Sequence, residues 1–143
     1  MTSIDQPAVD APLTSRETLT EFLGRLSAGD LDGVGALLAD SVDWEIAGAA
    51  HVPWAGRRTT PAAVTETLAT LGAALTPQEF AVSAVLADGP NAVALGRFTQ
   101  RVNATGATFA SDFAIHLTVV DGKITRYRIH EDSYAVAQGM AEV

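Results

Sequence analysis

The feature that most constrains this chain is a change of period at Thr76-Pro77. Before it, Val64, Leu68, Leu71 and Leu75 recur at helical spacing behind Thr60, an N-cap, and Pro61, at the first helical position. After it, four stretches alternate every second residue: 79–86, 92–101, 108–120 and 123–129. The turn signals "ADGPN", "NATG" and Asp121-Gly122 separate them, so the second half reads as antiparallel sheet.

The first half adds two more helices. Thr14 followed by Glu17 makes a capping box, and Leu19, Phe22, Leu23 and Leu26 then predict a helix over about residues 15–28. Gly29 offers a stop, Asp30 a new cap, and Leu31, Val34, Leu37 and Leu38 a second helix. A short strand, "SVDWEIAG", and a loop, "AGAAHVPWAGRR", precede the third helix, and a terminal helix is expected over 133–140. Helices first and long antiparallel strands after them define an α+β fold in which three N-terminal helices pack on a strongly curved sheet and enclose an apolar pocket. The predicted organisation is a flexible N-terminus over 1–14 and a single domain over 15–143.

Composition removes several functional classes. Seventeen acidic residues against nine basic ones give a net charge of -8, which disfavours nucleic acid and anionic membrane surfaces as partners. No cysteine is present, so disulfides, thiol nucleophiles and thiolate metal sites are excluded. The three histidines have no metal-ligand spacing, and no phosphate-cradling glycine loop or Gly-x-Ser-x-Gly elbow occurs; neither a metal nor a cofactor is expected. The opening residues lack the basic and apolar regions of a secretory signal, and no apolar run is long enough for a membrane span, so a cytoplasmic protein is expected.

The segments "VDWEIAG", "HVPWAG", "TTPAAVTETLATL" and "SDFAIHLTVVDGKITRYRIHEDSYAVA" resemble the nuclear transport factor 2-like superfamily, and within it the SnoaL-like, ketosteroid-isomerase-related proteins. The resemblance spans roughly residues 15–138 and implies a cone-shaped fold and a homodimer formed through the exposed face of the sheet. Its members include isomerases, polyketide cyclases, dehydratases (lyases), epoxide hydrolases and non-catalytic proteins, so it constrains fold more than reaction. It places Glu45 where ketosteroid isomerases keep their proton-shuttling aspartate, and Arg97 where epoxide hydrolases keep an arginine. Thr99 and Ile129 stand where those hydrolases keep aspartates. Ile115 and Ile129 stand where SnoaL-like cyclases keep an acid/base pair.

The candidate catalytic residues are therefore Glu45, His116, Tyr127, Glu131 and Arg97. If Ile129 faces inward, alternation also turns Tyr127 and Glu131 inward, with Phe113, Ile115 and Leu117 on the partner strand. His116 would share a face with Asp112, opposite to that lining unless a bulge intervenes; its ordinary pKa suits proton transfer. Trp44, Trp54 and His51 complete the candidate substrate-binding set, with Trp54 a lid or a core plug. The expected function is cofactor-independent acid/base chemistry (isomerisation, cyclisation or dehydration) on a small apolar carbonyl compound of polyketide, steroid or terpenoid type. The alternatives are an epoxide hydrolase-like activity and a non-catalytic, dimeric small-molecule-binding module in which Glu45 and Arg97 pair.

Overall fold

The computed structural model describes residues 11–143. The flexible terminus expected over 1–14 lies, up to residue 10, outside the described residues. The elements run α1 (Ser15–Ser27), α2 (Leu31–Ala36), β1 (Leu38–Ile46), β2 (Gly56–Arg58), α3 (Pro61–Ala74), β3 (Leu75–Asp88), β4 (Asn91–Val102), β5 (Thr108–Val120), β6 (Lys123–Glu131) and α4 (Ser133–Gly139).

The helices start where side chains satisfy their free N–H groups. The Thr14 hydroxyl accepts from Glu17 N while Glu17 Oε1 accepts from Thr14 N, closing the capping box of α1. Asp30, Thr60 and Asp132 cap α2, α3 and α4 in the same way. Gly29, at φ 73°, ends α1 in the left-handed conformation that a residue with a Cβ resists.

One six-stranded sheet carries the order β2-β1-β6-β5-β4-β3. β3 through β6 form an antiparallel meander, as the turn signals predict, and Asp121-Gly122 makes its last turn with both φ values positive. β1 instead lies parallel to β6, which the sequence reading does not foresee. Three further differences are local. β2 emerges from the expected loop, β1 begins at Leu38 inside the expected second helix, and β3 begins at Leu75 with no loop after α3. Pro77 is tolerated there because β3 is an edge strand, whose outer N–H groups need no ladder partner.

Register shifts in β3, between Pro77 and Glu79 and between Val82 and Ala84, mark irregularities of the kind that bend a strand. The concave face turns toward the helices and buries Ala92, Ala94, Phe98 and Val102 of β4 with Phe109, Phe113, Ile115 and Leu117 of β5. Where α1 meets this face, Trp44 stacks on Tyr127 with ring centroids 3.7 Å apart and planes 8° apart, and Phe22 tilts against both. That trio fixes the middle of β6, from which the candidate site extends toward Glu131 at the strand's end.

Candidate functional site

A cavity of about 600 Å³ opens between the helices and the concave face. Leu26 and Leu31 cover it from α1 and α2, Leu68 and Leu71 from α3, and Val136 from α4. Phe98 and Gln100 of β4, Phe109 and Ile115 of β5, and Tyr127, Ile129 and Glu131 of β6 form the sheet side. Trp54 seals one flank, and Phe80 of β3 lies at another, 42% exposed. This size suits a small organic ligand and the walls are mostly hydrocarbon.

Two titratable side chains line it among the described residues, Glu131 and Tyr127. They sit four apart on β6, on one face, so their Cα atoms are about 13 Å apart along the strand. Burial in apolar surroundings pushes the Glu131 carboxyl up to about 7, because its ion loses hydration and gains no cation in return. Burial also raises the Tyr127 phenol, with the Glu131 charge adding to the effect, so the hydroxyl stays protonated and can donate a hydrogen bond. A carboxyl poised near neutrality and a permanent donor farther along the same wall are what proton transfer to or from a bound molecule spanning the two requires.

Of the residues proposed from sequence, Tyr127, Glu131, Ile115, Ile129 and Trp54 line this cavity. Phe113 and Leu117 face inward but form the buried layer behind it; Phe113 stacks between Phe80 and Phe98, at 5.0 and 6.0 Å. Trp44 is also core, reaching the site only through its stack on Tyr127.

Four placements are corrected. Val42, Trp44 and Ile46 take the inward face of β1, which leaves Glu45 on the outer face, between Arg57 at 3.6 Å and Arg128 at 3.5 Å. Arg97 is outside as well and pairs with Asp112 at 3.0 Å, not with Glu45. The β4–β5 register runs unbroken from Asp112 to His116, so no bulge turns His116 inward; its Nε2 lies 2.8 Å from Asn91 Oδ1. Burial, and then the charges of Arg126, His130 and Arg128, hold the His116 imidazole below its usual range. His51 is exposed in the loop before β2, its Nε2 2.9 Å from the Ala137 carbonyl oxygen, and does not reach the cavity.

The outer face instead carries an ion-pair network. Both Asp43 carboxylate oxygens accept from Arg128 Nη2, at 3.0 and 3.1 Å, and Oδ1 also accepts from Arg57 at 2.8 Å. Arg128 beside it holds the Asp43 carboxyl below the ordinary carboxylate range. Sequence reasoning misses Gln100, Phe98, Phe109 and Phe80 as wall residues. The signal exists in β4, where buried Ala92, Ala94, Phe98 and Val102 occupy even positions, so Gln100 faces the cavity and Arg97 does not.

A family model described as a SnoaL-like domain matches residues 19–127. Among solved structures, an NTF2-like protein from Burkholderia xenovorans LB400 is similar at TM-score 0.81 and 26% identity, covering 90% of this chain and 98% of that one. TerC co-crystallised with polyporic acid is similar at 0.77 and 21%, over 89% and 98% of the two chains. An LEH-like epoxide hydrolase of M. tuberculosis is similar at 0.69 and 20%, over 90% of each. The last two show the fold alone. A comparison with curated proteins finds no match. Among the described residues no helix is long and apolar enough to cross a membrane, and no group of acidic and histidine side chains is placed to hold a metal. With more than half of its length matched by the family model, the chain belongs to the SnoaL-like family.

Proposed function

We propose that the cavity binds a small, largely apolar carbonyl compound and that Glu131 moves a proton at the carbon next to the carbonyl. The observation that carries this reading is the Glu131 carboxyl set into the wall of a hydrocarbon cavity, where burial pushes it up toward neutrality. Ionised Glu131 takes the proton as the C–H bond breaks, the electron pair passes into the carbonyl as an enolate, and the Tyr127 hydroxyl donates a hydrogen bond to the enolate oxygen. Returning the proton to a different carbon is isomerisation; attack of the enolate on a second carbonyl, whose oxygen then takes the proton back from Glu131, is cyclisation; expulsion of a β-hydroxyl, which leaves as water with that same proton, is dehydration.

This assignment replaces Glu45 with Glu131 as the base and retains the reaction class expected from sequence. Pairing of two copies over the outer face of the sheet belongs to the same proposal, supported by half-exposed Leu95 there, and light scattering tests it. The chemical test uses β-tetralone in deuterated water, with exchange at its acidic carbons followed by mass spectrometry. Wild type should accelerate exchange over buffer, Glu131→Gln should lose about a hundredfold or more of that acceleration, and Tyr127→Phe should lose part of it. Wild-type exchange at the buffer rate would refute catalysis and leave a binding module.

A further inference from the structure

The cavity's charge is one-sided. Among the described residues its lining holds one carboxyl and no lysine, arginine or histidine. The groups next to Glu131 in sequence do not help: His130 is exposed, and the Asp132 side chain is spent on capping α4 through Ala135 N. Across the sheet Glu131 pairs with Phe113, whose ring begins an aromatic cluster with Phe80, Phe98 and, edge-on at 6.2 Å from Phe98, Phe109. Trp54 and Tyr127 supply further rings to the cavity wall.

A neutral ketone gains nothing from the charge of such a carboxylate, and an anion is repelled by it. An alkylammonium group gains twice: it pairs with the carboxylate in a medium of low dielectric constant, and its N–CH groups meet the negative faces of aromatic rings. The whole chain, at a net charge of -8, draws cations toward its surface in the first place. We infer that this cavity is a receptor for lipophilic monoamines, with the ammonium seated on Glu131 and the hydrocarbon body among the aromatic walls. The carboxyl pushed toward neutrality by burial supports this, since an amine supplies the missing counter-charge and returns the group to its ionised form.

The inference rests on the cavity and on Glu131 as its one charge, as the catalytic reading does, but not on any turnover. Two consequences follow. A substrate of this site that carries a basic nitrogen places it at Glu131, and an amine without a reactive carbonyl inhibits by occupying the base.

The test is calorimetric titration of the whole chain with three probes of one shape: naphthylmethylamine, naphthylmethanol and naphthoic acid. At about pH 8 the amine should bind about tenfold or more tighter than the alcohol, and the acid should be weakest. Glu131→Gln should abolish the amine's advantage and leave the alcohol's affinity within about threefold of wild type. Lowering the pH to about 5.5 should weaken the amine and not the alcohol, because protons then compete for the carboxylate. An alcohol as tight as the amine in wild type overturns the inference and leaves the cavity intact as a binding site. Binding of none of the three overturns both readings. Amine preference without β-tetralone exchange sinks the catalytic reading alone, so the two failures are separable.

Discussion

Replacing Glu131 by glutamine should make the protein more stable, and by an amount that depends on pH. In the folded chain the carboxyl ionises at about 7, against an ordinary value of 4.5. Between those two values the folded chain holds a proton that the unfolded chain has released, so stability falls as pH rises through the window. The loss is complete above about pH 7 and, at about 1.4 kcal/mol per pH interval of one, amounts to about 3 kcal/mol. Glutamine is nearly isosteric and cannot ionise, so the variant escapes the loss. Its advantage over wild type should grow by about 2–3 kcal/mol between about pH 4.5 and 8, which for a domain of this size is roughly 6–9 °C in melting temperature. Parallel urea or thermal unfolding of the two proteins across that range measures the difference, and groups common to both cancel. A stability difference that stays flat with pH would refute the claim that Glu131 is half-buried in an apolar cavity without a counter-charge.

Other substitutions separate the two faces of the sheet and the parts of the fold. Arg97→Ala and His116→Gln, both on the outer face, should leave naphthylmethanol binding within about twofold of wild type; a loss tenfold or greater by calorimetry would place them back in the site. Trp44→Ala should cost about 3–5 kcal/mol in urea unfolding and weaken ligand binding with it, since Tyr127 loses the ring it stacks on. Gly96→Ala should be severely destabilising, because a Cβ there runs into the Ala81 carbonyl and the Phe113 ring; a normal melting temperature would contradict the packing. Asp43→Asn should blunt the wild-type loss of stability on acidification. The Asp43 carboxyl is held below its ordinary value, so its stabilisation is present above that value and lost as pH falls through the folded one, and the asparagine variant should lack this limb of the curve.

Much of the fold is legible in the sequence because its signals are local. Capping residues at Thr14, Asp30 and Thr60, and turn residues at Asp121-Gly122, each solve a backbone problem at their own position. Parallel pairing of β1 with β6 is not legible, since it joins segments about eighty residues apart with no turn between them to announce it. The site divides along the same line. Alternation on β6 groups Tyr127, Ile129 and Glu131, and all three line the cavity. The same rule applied to β1 puts Val42, Trp44 and Ile46 inside and Glu45 outside, and applied to β4 it puts Arg97 outside. The resemblance sets those two residues at positions that relatives use for catalysis, and the transfer fails because a shared fold fixes the cavity and not which strand supplies its ionisable group. The Asp43–Arg57–Arg128 network explains why polar residues occupy the outer positions of β1: they pair across three neighbouring strands.

The most direct measurement is a carbon-13 NMR titration of the Glu131 side-chain carboxyl in the ligand-free protein, assigned by its disappearance in Glu131→Gln. A midpoint near 7, falling when naphthylmethylamine is added, is the result expected of a lone carboxylate in an apolar cavity. A midpoint near 4.5, unmoved by the amine, would mean that the group is solvated and that the cavity has no charge to offer.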